Sequence, residues 1–92
     1  MAKIFVVDRE HDADVKCFKV DREYNADLLV YVVDREYNAK SDELWFYVSK
    51  DRDATTRIFW VDRESHADLK VLFVDREYNA KWKKGHKFQN RL

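Results

Sequence analysis

In a chain of 92 residues, aspartate and glutamate flank an arginine again and again: Asp8 and Glu10, Asp21 and Glu23, Asp34 and Glu36, Asp62 and Glu64, Asp75 and Glu77. Two carboxylates so placed could serve as acid and base or hold a hard cation. Catalysis, however, needs the two groups in unlike environments, and near-identical copies offer the same environment each time. A capping aspartate and an exposed ladder of Arg and Glu account for them better. The copy that departs most is KDRDATTR, with Asp51 and Asp53, and it is where a catalytic pair would differ from its repeats. No activity is expected there, and the chain is not read as an enzyme.

The other chemistry-bearing residues are sparse. His11 stands where other copies have Tyr24 and Tyr37, His66 where they have Asn25 and Asn38, and His86 lies near the end of the chain. None has the i, i+4 partner of a zinc site, so no metal is expected. Gly85 is the one glycine, which removes Gly-rich phosphate loops from consideration, and no nucleophile elbow occurs. No cofactor is expected. Cys17 is the one cysteine; it sits in a strand-like run and reads as a small buried thiol.

One segment carries a distinct signal, the terminal KWKKGHKFQNRL. It holds five cations and no acid, so the preceding residues carry the balancing negative charge of a chain that is neutral overall. Lys81, Lys83, Lys84, Lys87 and Arg91, interleaved with Trp82 and Phe88, could bind single-stranded nucleic acid through phosphate contacts and base stacking. The competing reading is internal: the basic tail lies on the acidic body, and Trp82, at the strand position of Leu28 and Leu69, completes the core. The internal reading carries more weight.

The elements that position these residues come from a repeat. VDREHDAD begins at Val7, VDREYNAD at Val20, VDREYNAK at Val33, VSKDRDAT at Val48, VDRESHAD at Val61 and VDREYNAK at Val74. The spacing is thirteen residues except at the third step, where SDELWFY makes it fifteen. A shift of forty-one residues superposes Val7 on Val48 and Val33–Lys40 on Val74–Lys81, so the chain has two similar halves, 7–47 and 48–88, within one domain spanning 1–92. Residues 82–92 form the basic tail.

Each unit opens with a short apolar run: KIFVV, VKCFKV, LLVYVV, LWFYV, TRIFWV and LKVLFV. These runs are β-branched and aromatic and too short for ordinary helices, which predicts six short strands in a mostly β fold. One face carries Phe5, Phe18, Tyr31, Phe46, Phe59 and Leu72; the other carries Ile4, Val30, Trp45, Ile58 and Val71, with Trp60 and Phe73 beside them. Strands apolar on both faces are covered on both faces, as in buried parallel sheets, with a twisted sandwich as the alternative. The chain has no proline and no Asn-Gly, so tight hairpins do not join the strands. The polar DREYNAD segments suit a single helical turn with its aspartate as N-cap, or an Asx-type turn. An alanine recurs in every unit (Ala13, Ala26, Ala39, Ala54, Ala67, Ala80), as expected where another segment passes close by.

Six VDREYNAD-type copies in two groups of three resemble Septknot, a family of small bacterial repeat proteins of uncharacterised function. The resemblance spans roughly residues 3 to 85. It implies two halves wound around each other in a deep seven-crossing knot, and with it high kinetic stability. Ser49 and Thr55 in the fourth copy, and Lys40 and Lys81 in the third and sixth, depart from the motif and bear on local turn geometry.

Composition agrees with a folded domain. Of the residues, 46% are hydrophobic and 39% charged with both signs equal, which is far from the signature of disorder. No apolar run reaches the roughly 20 residues of a membrane helix, and the start, MAKIFVVDRE, is no signal peptide. A cytoplasmic monomer with no membrane partner is expected. Its role is that of a small stable structural or interaction protein, with nucleic-acid binding by the tail as the alternative.

Overall fold

The computed structural model describes residues 2–83, 85, 86, 88, 89, 91 and 92. Each apolar run forms a strand: β1 (Ala2–Val6), β2 (Val15–Lys19), β3 (Leu28–Val32), β4 (Leu44–Tyr47), β5 (Thr56–Trp60) and β6 (Leu69–Phe73). A short β7 (Lys81–Trp82) follows as a seventh strand beyond the six expected, with Trp82 at the strand position the repeat gave it.

The first six strands all pair in parallel in the order β4-β1-β5-β2-β6-β3, and β3 also pairs with β4, which closes a barrel. Closure removes the exposed edges that an open parallel sheet would leave. It also settles the sandwich alternative in favour of buried parallel strands. Around the barrel, β1, β2 and β3 alternate with β4, β5 and β6, so the first three strands have no hydrogen-bonded neighbour among themselves. Every connection passes over one strand except β3 to β4, which are direct neighbours. This single short step moves the chain from one set of positions into the gaps between them. It falls where SDELWFY interrupts the spacing, so the two extra residues belong to the change of lane.

The register fixes a steep stagger. Ala2 pairs with Trp45, Ile4 with Thr56, Ile58 with Val15, Cys17 with Leu69, Val71 with Leu28, and Val32 with Trp45 again. One circuit thus climbs two residues on each of β1, β5, β2 and β6 and four on β3. A large stagger for so few strands means strongly tilted strands and a filled interior rather than a pore. Inside lie Ala2, Ile4, Val15, Cys17, Leu28, Val30, Trp45, Ile58, Leu69 and Val71, all buried in one cluster. They are alternate residues of their strands, as the two-residue period of a strand requires.

Parallel strands force each connector back along the outside of the barrel, and the connectors form the second covering. Val20, Ala26 and Leu29 pack with Phe18, Leu72 and Val74, and Val33, Ala39 and Leu44 with Tyr31, Phe46 and Ala80. Of the repeated alanines, Ala26 and Ala39 are buried within their connectors, where a larger side chain would hold the connector off the strands, and the other four are half-buried.

Each connector contains one 3-10 turn: Glu10–Asp12, Glu23–Asn25, Glu36–Asn38, Asp51–Asp53, Glu64–His66 and Glu77–Asn79. The single helical turn is there, but the expected aspartate cap is not. Arg9, Arg22, Arg35, Lys50, Arg63 and Arg76 occupy the N-cap positions in extended backbone, and none of the turns has a side-chain cap hydrogen bond. Asp8 and its equivalents lie one residue too early to reach the turn's free amides.

The residue that ends the unit does the bonding instead, and it bonds across the barrel. The backbone N–H groups of Asp14, Asp27, Thr55 and Asp68 donate to the carbonyls of Arg57, Lys70, Lys3 and Lys16, at 2.8, 2.8, 2.8 and 2.7 Å. In return their side-chain oxygens accept from the N–H of the same four residues, at 3.0, 3.1, 2.8 and 3.3 Å respectively. Each of the four interfaces along β1-β5-β2-β6-β3 therefore carries one such clamp, and every clamp joins a residue from the first three units to one from the last three. Thr55 keeps the clamp with a hydroxyl, which explains why the fourth copy can lack an aspartate here. Lys40 and Lys81 stand where the chain reaches the β3–β4 seam, outside this series.

Losing a hydrogen bond to a buried or half-buried amide costs about 1–2 kcal/mol. Asp27→Ala and Asp68→Ala should each lower unfolding free energy by that amount in urea titrations. Asp62→Ala and Asp75→Ala, on exposed positions without a clamp, should stay within about 0.5 kcal/mol of the parent.

Candidate functional site

The basic tail, the segment singled out for nucleic acid, forms the floor at the amino ends of the strands. Trp82 pairs with Leu28 through β7, antiparallel to β3, and its indole N–H donates to Asp42 Oδ2 at 3.2 Å. Its ring stacks on His86 with centroids 5.6 Å apart, and His86 stacks on Phe88 at the same distance. Nδ1 of His86 accepts from the Phe88 N–H at 3.2 Å, while Nε2 lies 3.7 Å from Asp27 Oδ2. Leu92 is buried in the barrel cluster; its N–H donates to Asp42 Oδ1 at 3.1 Å and its carbonyl accepts from the Thr56 hydroxyl at 3.1 Å.

Asp42 is the anchor of this floor, and it comes from the inserted SDELWFY segment. Besides the two tail N–H groups, its own carbonyl accepts from the Trp45 indole at 2.8 Å. Sequence reasoning passed over it, although its place in the one interruption of the repeat was a usable signal. Of the other tail residues, Lys83 pairs with Glu23 at 2.8 Å and holds that carboxyl below its ordinary range, and its N–H donates to the Asp27 carbonyl at 2.9 Å. Lys81 and Arg91 are exposed; Lys84 and Lys87 lie outside the described residues.

The carboxylate pairs are all exposed, and several reach the cations of neighbouring strands: Glu36 to Lys3, Glu10 to Lys16 and Glu64 to Lys70, at 3.6, 3.4 and 3.4 Å. Asp51 is taken up by the Arg57 guanidinium, which Asp51 first and Asp14 second hold above its ordinary range. These two residues also line a polar groove of about 680 Å³ with Asp8, His11 and Asp12. Among the described residues no group of three or more His, Cys, Asp or Glu is placed to hold a metal.

The carboxyl end of the barrel differs from the floor. Two residues beyond Ile4, Cys17, Val30, Trp45, Ile58 and Val71 stand Val6, Lys19, Val32, Tyr47, Trp60 and Phe73, the last inward-facing row. Val6, Val32 and Tyr47 are 42%, 40% and 39% exposed, so this mouth is an apolar surface in contact with solvent. Trp45 lies fully buried beneath it, edge-on to Tyr47 and Phe73 at 6.3 and 5.9 Å and tilted against Trp60 at 6.4 Å. Trp60 and Phe73 meet at 5.8 Å and 56°. Phe18, Lys19, Tyr47, Trp60, Val61 and Phe73 line a cavity of about 490 Å³ there, within the range of small-ligand sites. The sequence set Trp60 and Phe73 beside the apolar face of Ile4, Val30, Trp45, Ile58 and Val71 but gave no height along the barrel, so mouth and floor could not be told apart.

Beneath the mouth two groups resist ionisation. Burial, and then the charge of Asp68, pushes the Cys17 thiol from 9.0 up to about 12. Burial, and then Cys17, pushes the Tyr47 hydroxyl from 10.0 up to about 12. Both folded values lie above the unfolded ones, so this contribution to stability is whole below about pH 9 and is lost as the pH climbs toward 12. Urea midpoints should fall over that interval, and a Cys17→Ala, Tyr47→Phe double variant should show a shallower fall.

Residues 1–83 match a family model described as the 7(1) septoil knot domain. No curated protein matches the chain, and no solved structure does. From β1 to β6 the chain circles the barrel about one and a half times, its later strands lying between its earlier ones.

Proposed function

Because the chain belongs to the Septknot family, whose description specifies a fold and no activity, we propose that it is a non-catalytic interaction module that binds through the carboxyl mouth of its barrel. The observation that carries this reading is the asymmetry of the two ends. The floor is closed by Trp82, Phe88 and Leu92, whereas the mouth leaves Val6, Val32 and Tyr47 in solvent above a fully buried tryptophan. Leaving apolar side chains in contact with solvent costs stability and solubility, and binding is the use that offsets it. The lone buried thiol of Cys17 suits a reducing, cytoplasmic setting.

Slow unfolding belongs to the same reading. A threaded chain loses its native contacts before an end can leave, so a denaturant jump should give an unfolding rate in water well below roughly 10⁻⁴ per second. Unfolding at the pace of ordinary small domains would remove this part.

The test of the module is a screen of small soluble fragments by two-dimensional NMR. Binding should move the signals of Lys19, Tyr47, Trp60 and Phe73 and leave those of Leu28, Leu69 and Leu92 in place. Fragments that bind only elsewhere, or none at all, would overturn the reading.

Nucleic-acid binding by the tail is the second reading, favoured by the exposure of Lys81 and Arg91. Against it stands the use of Trp82, whose indole is bonded to Asp42 and stacked on His86. A single-stranded oligonucleotide should therefore show no shift at about 50 mM salt. A shift that vanishes steeply with added salt would favour the tail.

A further inference from the structure

We infer that the mouth takes a small amphiphilic anion, a flat apolar body bearing one carboxylate, sulfonate or phosphate, with Lys19 as its counter-ion. This deepens the mouth reading above and rests on it. The first argument is positional. Five of the six residues in the mouth row are apolar, Val6, Val32, Tyr47, Trp60 and Phe73, so the repeat architecture does not require a cation at the sixth. Lys19 is the exception.

The second argument is electrostatic. The outward-facing cations of β1, β2, β5 and β6, Lys3, Lys16, Arg57 and Lys70, each pair with an acid. Among the described residues, Lys19 pairs with none; its Nζ stands 5.7 Å from the centroid of the Phe73 ring. A ring face compensates an ammonium only in part. An anion settling in this open groove would complete the pair with a charge-assisted contact. A cationic guest is disfavoured by the same ammonium.

The third argument is shape. The inclined rings of Trp60 and Phe73, with Tyr47 beside them, leave about 490 Å³, room for one or two fused rings. Beyond the mouth, the next residues run Asp21-Arg22, Asp62-Arg63 and Asp75-Arg76, so the rim carries both signs, and Lys19 is the one charged side chain lining this groove.

The experiment uses two matched probes, anilinonaphthalene sulfonate and the uncharged phenylnaphthylamine, titrated into the whole protein and followed by probe fluorescence and NMR. The sulfonate should bind at the mouth about ten-fold more tightly than the amine, the scale of one charge-assisted contact. Lys19→Met should remove that preference and leave the amine unchanged, while Lys16→Met, on the outer face, should leave both alone. Lys19 is exposed, so its substitution leaves the core intact, and circular dichroism confirms the fold. A preference that survives Lys19→Met, or no preference in the parent, would overturn the anion assignment while the mouth reading stands. Failure of both probes to reach the mouth would overturn both.

Discussion

Ending the chain after Ala80 is expected to unfold the domain rather than merely to remove a charged arm. The lost segment includes β7, which pairs with β3, and Trp82, Phe88 and Leu92, which pack against the barrel cluster. Burying such a side chain completely contributes about 1.5–3 kcal/mol, and these three are buried to differing degrees, so several kcal/mol are at stake. Small domains hold only about 5–15 kcal/mol in all. Truncation also removes the N–H groups of Trp82 and Leu92 that donate to Asp42. The truncated chain should show no cooperative urea transition. A control, Lys81→Gln with Arg91→Gln, alters only exposed charge and should stay within about 0.5 kcal/mol of the parent. A truncated chain as stable as the parent would mean that the floor is decoration.

Much of this architecture was legible in the sequence because it depends on local pattern. The two-residue alternation of Ile4, Val30, Trp45, Ile58 and Val71 against Phe5, Phe18, Tyr31 and Phe46 is enough to show strands covered on both faces, while the choice of parallel strands over a twisted sandwich came from the closed pairing. The alanine in each connector announced a close crossing, and Ala26 and Ala39 are buried there. What escaped depends on register between distant segments. Asp14, Asp27 and Asp68 look like turn residues until their partners, more than forty residues away in sequence, are known. Asp8 and its equivalents look like caps until the turn is seen to begin one residue further on. The same limit hid the site: Lys19, Trp60 and Phe73 are ordinary strand residues in one dimension. Only the stagger of the barrel puts them in one row at one end.

Cutting the chain between Lys40 and Leu44 should have an effect as large as truncation. The piece that keeps β1, β2 and β3 retains no hydrogen-bonded strand pair, since each of these strands pairs only with strands on the other side of the cut. The same holds among β4, β5 and β6. Neither piece can bury its apolar faces, so each alone should be unfolded or insoluble, with a random-coil amide spectrum. Mixed in equal amounts under dilute denaturant and returned to buffer, they are expected to recover native signals at best in part. The two pieces must find many interfaces at once, with no loop to hold them together. A single piece with a cooperative thermal transition would contradict the interleaved arrangement.

The central claim is that the first three strands and the last three form one cooperative unit, and native-state amide hydrogen exchange in the intact chain tests it most directly. Amides of Cys17 and Val30 on one side, and of Ile58 and Val71 on the other, should exchange with a single free energy, equal to that of global unfolding. They should also share one dependence on denaturant. If the amides of β1, β2 and β3 opened at a distinctly lower free energy than those of β4, β5 and β6, the chain would be two separable units and the account would fail.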